Sequence, residues 1–305
     1  NILEYARGGV YPESRTQTLG KIVDDAVERT VERMASGSLS PTLNRQGLHR
    51  HVDQILNALA WQLQIRRGRG LSLAEAFTIM KEVRGDREYS LERMVEALVA
   101  NRLLTTYGAD ALRFAYSRIQ AYCCARQIIA SPDRETSLDD ITSTLGRISR
   151  LHWWEETLVF SAGLLAGDAS AVAPFLQIMV YGMNLLESER TFLAARCLSE
   201  VASRPSLPPE VASLNDIVTS ALTWRLQSSN EPSSAQRSRA AELLGQIASP
   251  RAVRQLAETA YHPTRRDRGG GAAYDYSNVR MAAIIGLLRM SETDQEELLA
   301  DIDLV

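Results

Sequence analysis

The spacing of apolar residues constrains the fold of this 305-residue chain most strongly. Apolar side chains recur every three or four positions in residues 15–35 and again in residues 44–66. This spacing places them on one face of an α-helix, and it predicts amphipathic helices that bury that face. A further helix is predicted after Ser72, which forms an S-x-x-E capping box with Glu75, and another over residues 91–100. The stripe in the first helix comprises Leu19, Ile22, Val23, Ala26, Val27, Thr30 and Met34.

One segment favours strands over helices. The stretches "LLTTY" and "ALRFA", within residues 103–115, flank Gly108 in a pattern typical of a β-hairpin. Helices, a hairpin and another helix follow one another across residues 44–131, an order that indicates a winged-helix-like module. Its helices lack the clustered basic residues that reading DNA requires, so we do not expect this module to bind nucleic acid.

The C-terminal part of the chain contains an internal similarity. The blocks "AARCLSEVAS", "AAELLGQIAS" and "MAAIIGLLRM" begin at Ala194, Ala240 and Met281, which are 46 and 41 residues apart. Periods of this length, with two helices each, are typical of HEAT-like solenoids, and a generic Ala-rich helical bundle is the alternative. The small residues expected to let helices approach closely are Ala195, Ala241 and Ala282. The pairs expected to fill the layer between stacked helices are Cys197/Leu198, Leu243/Leu244 and Ile284/Ile285.

The sequence lacks the common catalytic and metal-binding motifs. It has no G-x-x-x-x-G-K-[ST] phosphate loop, no G-x-G-x-x-G after a strand, and no G-x-S-x-G, H-E-x-x-H or C-x-x-C. Adjacent acidic pairs occur, but neighbouring helical residues do not face each other, so these pairs indicate solvated faces. None of the four histidines has a cysteine at zinc-site spacing. We therefore predict no catalytic residue and no metal site in this chain.

Charge and cysteine content indicate where the protein works. The formal net charge of −3 provides no overall basic field for nucleic acid. Three cysteines, two of them adjacent, do not form a disulfide framework and favour a reducing, cytoplasmic compartment. No apolar run reaches the ~18–20 residues that span a bilayer, so we expect no membrane partner.

Four segments, in this order, resemble parts of NACHT-family (STAND) signalling NTPases. Residues 5–34 resemble the helical segment after the nucleotide-binding core, and residues 55–77 resemble the start of the winged-helix domain. Residues 113–125, "RFAYSRIQAYCCA", are similar to the motif that ends that domain, and residues 153–165 are similar to the tryptophan-led helix that follows it. The resemblance covers about residues 2–167. In this family, HEAT-like repeats commonly follow these segments along the chain.

The resemblance implies a role for Tyr116. It occupies the position of a family histidine that is implied to contact the phosphates of bound ADP. A tyrosine hydroxyl can donate a hydrogen bond there, but it carries no positive charge. The alternative is that Tyr116 is a half-buried aromatic residue of the wing. We interpret the other distinctive residues of this helix, Gln120, Tyr122, Cys123 and Cys124, as helix-packing residues.

The resemblance also implies a domain order and a function. Residues 1–43 would follow a nucleotide-binding core, residues 44–131 form the winged helix, residues 132–187 a helical connector and residues 188–305 the HEAT-like repeats. Because the chain starts at Asn1, we expect a longer protein whose upstream core binds ATP or ADP with Mg²⁺. This chain would then be its non-enzymatic regulatory half, which senses a protein trigger or effector and controls homo-oligomerisation. A stand-alone HEAT-like scaffold for protein interactions is the alternative.

A glycine-interrupted segment is the candidate partner-binding element. Residues 262–276, "HPTRRDRGGGAAYDY", are predicted to form a loop. Arginine and tyrosine are enriched at binding hot spots, and insertions in solenoids often lie on the binding face. A solvated connector without a partner is the alternative. The residues assigned to this contact are Arg265, Arg266, Arg268, Tyr274 and Tyr276.

Overall fold

The computed structural model confirms the mainly helical fold. It describes residues 14–36, 44–67, 70–85, 89–108, 110–130, 152–181, 188–202, 209–226, 233–247, 249–261 and 272–288. Twelve helices account for 84% of these residues, and they are joined by one small antiparallel sheet. The chain divides into two compact units, Asn1–Leu165 and Ala166–Val305, so the division falls inside the predicted connector. The four predicted domains and the three boundaries between them stay predictions.

The described residues of the first unit form six helices. They are α1 (Arg15–Ala35), α2 (Arg45–Ile65), α3 (Leu73–Arg84), α4 (Leu91–Ala100), α5 (Ser117–Ile129) and α6 (Glu155–Leu165), and a 3-10 turn over His152–Trp154 precedes α6. The side chains of Ser14, Asn44, Ser72 and Ser90 accept hydrogen bonds from the first turns of α1 to α4. The capping box predicted at Ser72 is confirmed, because Ser72 and Glu75 exchange both hydrogen bonds.

Helix α2 forms the centre of this unit. It packs on α1, α3 and α5, and its apolar stripe, including Leu48, Val52 and Ile55, is fully buried. The stripe of α1 is buried as predicted at Val23, but Ile22 is 51% exposed, because it lies just outside the sector of α1 that faces the core.

The sheet has one strand more than the sequence predicted. Strands β2 (Leu104–Tyr107) and β3 (Ala111–Phe114) form the expected hairpin, with Gly108 in the left-handed region at φ +64°. The two-residue strand β1 (Leu71–Ser72) pairs with the other edge of β3, which gives the order β1-β3-β2. A two-residue strand has no periodicity of its own, so the pairing in space defines it.

The part of the second unit that the structure describes also contains six helices. They are α7 (Ala169–Tyr181), α8 (Ser188–Ala202), α9 (Pro209–Leu226), α10 (Ser234–Ile247), α11 (Pro250–Tyr261) and α12 (Ala272–Leu288). Each helix packs against the next one along the chain and against the next but one. The helices α8, α10 and α12 therefore form one row, and α7, α9 and α11 form another. No helix in the described ranges is both long and apolar enough to cross a membrane.

The repeated sequence blocks lie on α8, α10 and α12. Their small residues Ala195, Ala241 and Ala282 are at most 5% exposed, as predicted for closely packed helices. The pairs Cys197/Leu198 and Leu243/Leu244 are buried too. The prediction was wrong for Ile285, which is 38% exposed because α12 is the last described helix of its row.

Candidate functional site

Tyr116 lies at the junction between β3 and α5. It is the N-cap residue of α5, in an extended conformation, and its side chain makes no capping hydrogen bond. Tyr116 is 57% exposed, so the alternative interpretation, a half-buried aromatic residue of the wing, stays open. The preceding Phe114 already fills the core position, at 5% exposed, and the chain turns away from the core before Tyr116. More than half of the surface of Tyr116 is therefore exposed to solvent.

Gln120 has a structural role. Its Nε2 donates a hydrogen bond of 2.9 Å to Oε1 of Gln64 on α2. The Nε2 of Gln64 in turn donates a hydrogen bond of 2.6 Å to the carbonyl oxygen of Trp153. Gln64 is only 6% exposed, so an unpaired amide there would be costly. The two amides join α5, α2 and the turn before α6, which agrees with the prediction that Gln120 is a packing residue.

Tyr122 fixes the position of α1. Its ring is 5% exposed and contacts Phe160 edge-on, with ring centroids 6.0 Å apart. Burial raises the pKa of Tyr122 to about 12, so the hydroxyl stays protonated. A Cβ at Gly20 of α1 would lie 2.8 Å from that hydroxyl oxygen. The close approach of α1 to α5 therefore depends on the glycine.

Cys123 and Cys124 are packing residues, as predicted. Both are free thiols with no exposed surface. Burial raises the pKa of Cys123 to about 12 and raises the pKa of Cys124 as well. Neither thiol forms the thiolate that a nucleophile or metal ligand requires near neutral pH.

A charged network joins α1, α2 and α5. Arg126 forms a bidentate pair with Asp53, at 3.0 and 3.1 Å, and lies 3.5 Å from Asp24. Burial raises the pKa of Asp24, although Arg126 opposes that rise. The bidentate geometry fixes the register of α5 on α2. The network continues along the same helices through His49 with Asp53, and Arg45 with Glu28 and Glu32. These contacts hold three helices together and have no evident chemistry.

The predicted partner loop is described only in part. Arg265, Arg266 and Arg268 lie outside the described residues. Tyr274 and Tyr276 belong to α12, which begins at Ala272, so the prediction of a loop was wrong for its last five residues. The run of alanines there has the strongest intrinsic preference for helix and follows directly on three glycines. The partner role of these residues stays a prediction.

The sequence reasoning missed a second group of exposed residues around the hairpin. We define the Arg/Tyr group by Arg102, Tyr107, Arg113, Tyr116 and Arg118, all of which are exposed. The guanidinium carbon of Arg113 lies 4.5 Å from the centroid of the Tyr107 ring, and Tyr107 is 61% exposed. Composition gave a usable signal, because residues 102–118 contain three arginines and two tyrosines but a single acidic residue, Asp110.

Comparisons with known proteins provide no further guide to this site. No protein-family model, no curated protein and no solved structure matches the chain. Among the described residues, no three or more His, Cys, Asp or Glu side chains are grouped so as to hold a metal ion. Tyr116 and the Arg/Tyr group are therefore the residues on which a function can be argued.

Proposed function

We propose that this chain is the regulatory and sensor part of a NACHT-type signalling ATPase. The first unit would act as its winged-helix-like module, and the second as a HEAT-like stack that senses a protein trigger. The observation that carries this proposal is the packing order of α7 to α12, in which each helix packs on its next two neighbours. The resemblance of residues 2–167 supplies the link to a nucleotide-dependent switch.

The packing order supports a stack rather than a closed bundle. In a solenoid, each repeat contacts only its neighbours, whereas the first and last helices of a bundle meet. Among the described helices of the second unit, extensive packing occurs only between helices that follow one another along the chain or that have one helix between them. The buried alanines recur at matching positions of α8, α10 and α12, which also supports repeated units. Stacked repeats provide the extended surfaces on which such proteins bind partners.

The exposed Tyr116 supports the link to nucleotide. The resemblance places it where a family histidine contacts the phosphates of ADP. Tyr116 lies exposed at the start of α5, and a tyrosine hydroxyl can donate a hydrogen bond to a phosphate held by a neighbouring domain. ATP or ADP with Mg²⁺ would bind mainly to that domain. Trigger contacts made only in the open form would then shift the population towards an oligomerising state.

Removing the hydroxyl of Tyr116 tests this proposal in the full-length protein. We expect Tyr116→Phe to weaken ADP retention about tenfold, because a hydrogen bond to a charged phosphate is lost. Tyr116→His should retain ADP at least as well as the wild type. The measurement is the nucleotide content of the purified protein and its rate of ADP release. Tyr107→Phe, which changes a second exposed tyrosine, serves as the control. Equal retention by Tyr116→Phe, Tyr116→Ala and wild type would contradict the nucleotide role.

A stand-alone helical scaffold for protein interactions is the second candidate. It is favoured by the packing roles of Gln120, Tyr122, Cys123 and Cys124, which explain much of the resembling motif without a nucleotide. The coding sequence upstream of Asn1 separates the two candidates. A phosphate-loop motif within the preceding few hundred codons supports the switch, and an unrelated domain in its place supports the scaffold.

A further inference from the structure

We propose that residues 291–305 of this chain dock as an amphipathic helix on an exposed apolar stripe of α12. We define the α12 stripe by Met281, Ile285 and Leu288. The proposal uses the packing of the second unit and not the link to nucleotide, so its failure would leave the nucleotide switch proposed above untouched.

Helix α12 exposes more large apolar side chains than any other described helix. Met281 is 56% exposed, Ile285 is 38% exposed and Leu288 is 72% exposed. Their spacing of i, i+4 and i+7 places them on one face of the helix. Each of the other described helices exposes at most one such residue. A continuous apolar row marks a contact surface, whereas single exposed apolar residues need no explanation.

The equivalent positions of α8 and α10 show what the α12 stripe requires. When the three repeated blocks are aligned from their first residues, the stripe occupies the first, fifth and eighth positions. The residues at these positions of α8 and α10 are at most 4% exposed, because neighbouring helices cover them. The stripe is therefore a face that another helix covers in the earlier blocks. The equivalent residues are Ala194, Leu198 and Val201 on α8 and Ala240, Leu244 and Ile247 on α10.

The packing order places the next helix of the chain against α12. Each described helix of the second unit packs on the helix that follows it and on the next but one. A helix formed after Leu288 would follow α12 directly and would have α11 as its next neighbour but one. It would therefore pack on both of these helices, as the preceding members of the stack do.

The segment that follows α12 has the sequence of such a helix. Residues 291–305, "SETDQEELLADIDLV", lie outside the described residues. The segment begins with S-x-x-D, the pattern of a capping box. Leu298, Ile302 and Val305 repeat the i, i+4, i+7 spacing of the α12 stripe, so a helix here would carry a matching apolar face.

Charge favours this segment over a second copy of the stripe. The segment contains six acidic residues and no lysine or arginine. Helices α11 and α12 expose Arg251, Arg254 and Arg280. None of these arginines lies within ion-pair distance of a carboxylate among the described residues. Opposite charges beside an apolar contact favour docking, whereas two stripes facing each other would bring like charges together.

Oxidation of Met281 by hydrogen peroxide in the intact chain tests the proposal. Mass spectrometry follows the tryptic peptide 281–289, in which Met281 is the only methionine, and a free methionine peptide is the accessible standard. A thioether under a docked helix reacts only when the helix opens, so we expect Met281 to react at least roughly tenfold more slowly than the standard. The variant Leu298→Ser/Ile302→Ser should raise the rate about fivefold or more, because it removes the apolar face of the segment.

Glu296→Ser/Asp303→Ser is the matched control. It also introduces two serines, but at 100° per residue these positions lie on the side of the predicted helix opposite Leu298. Met281 should react in this variant as it does in the wild type. Met179, which is 4% exposed on α7 of the same unit, should stay protected in every variant and shows that the unit is folded.

Three results would overturn the proposal. The first is oxidation of Met281 in the wild type as fast as that of the standard, which would show that nothing covers the stripe. The second is an equal rate in the wild type and Leu298→Ser/Ile302→Ser, or an equal rise in the matched control, which would exclude the apolar face of the segment as the cover. The third is protection that increases with protein concentration, which would assign the stripe to a second copy of the chain.

Discussion

At the scale of single residues, two glycines determine how closely α1 lies against the rest of its unit. A Cβ at Gly20 would meet the hydroxyl of Tyr122, and a Cβ at Gly163 of α6 would collide with the side chain of Thr16. The interhelical approach at both places is therefore too close for any larger residue. An ion pair of 3.0 Å between Arg15 and Glu156 adds a surface contact between α1 and α6, and such pairs contribute little by themselves.

We expect Gly20→Ala to destabilise the protein by roughly 1–3 kcal/mol, because the added methyl group overpacks the contact with Tyr122. The denaturant midpoint measures this effect. Tyr122→Phe removes the hydroxyl that the methyl group would meet, so Gly20→Ala should cost less in that background. An equal cost in both backgrounds would show that the strain lies elsewhere.

The pH dependence of Glu75 is the second prediction at this scale. Hydrogen bonds from Arg66 and from Ser72 hold the pKa of Glu75 at about 2, below its ordinary value of 4.5. A carboxyl group whose pKa is lower in the folded state stabilises the fold above pH 4.5, and this contribution is lost as the pH falls towards 2. The difference in unfolding midpoint between wild type and Glu75→Gln should therefore be full at pH 7 and shrink over that acidic range.

Glu82→Gln is the control for this experiment, because Glu82 is another exposed carboxylate on α3. Its difference from wild type should not shrink in the same way. A difference for Glu75→Gln that is constant from neutral to acidic pH would contradict the assigned cause.

At the scale of secondary-structure elements, the sequence predicted the helices that have long apolar stripes and clear caps. Residues 91–100 were predicted as a helix and form α4 with the same bounds. Local signals could not predict β1, since Leu71 is a strand residue only through its pairing with Leu112, 41 positions away. The start of α12 was missed for a different reason, because the glycines of "RGGGAA" hid the helical preference of the alanines.

The contact between α10 and α12 gives the prediction at this scale. A Cβ at Gly245 would lie 2.5 Å from the Cα of Gly286, so the two backbones touch there. We expect Gly245→Ala and Ala241→Leu each to destabilise the second unit by roughly 1–3 kcal/mol through overpacking. Trp224 lies in this unit, so its fluorescence can follow unfolding in a variant that lacks the other three tryptophans.

Ala235→Leu is the matched control, because Ala235 is exposed on the same helix. A surface substitution of this kind should change stability by no more than about 0.5 kcal/mol. An unchanged midpoint for Ala241→Leu would mean that the proposed register of the repeats is wrong.

At the scale of the whole molecule, the sequence predicted those features of the candidate sites that neighbouring residues determine. It did not predict the features that depend on tertiary contacts. The sequence identified Tyr116 through its place in a motif, but its exposure follows from how Phe114 fills the core. The amides of Gln64 and Gln120 are 56 positions apart, so no local pattern reveals their hydrogen bond. The Arg/Tyr group had a local signal in its composition, three arginines to one aspartate within residues 102–118, and averaging the charge over the whole chain concealed it.

The last prediction concerns the chain as a whole, which should not hydrolyse ATP by itself. The sequence has no phosphate loop whose lysine and backbone amides would hold the β- and γ-phosphates. Phosphate release with ATP and Mg²⁺ should therefore equal that of buffer. ATP at roughly 1 mM should also leave the unfolding midpoint unchanged, whereas a ligand at a hundred times its Kd would stabilise the fold by ~2.7 kcal/mol. If the chain hydrolyses ATP and a substitution within residues 1–305 abolishes that activity, the chain contains an active site of its own. If ATP raises the unfolding midpoint without being hydrolysed, the chain contains a complete nucleotide-binding site.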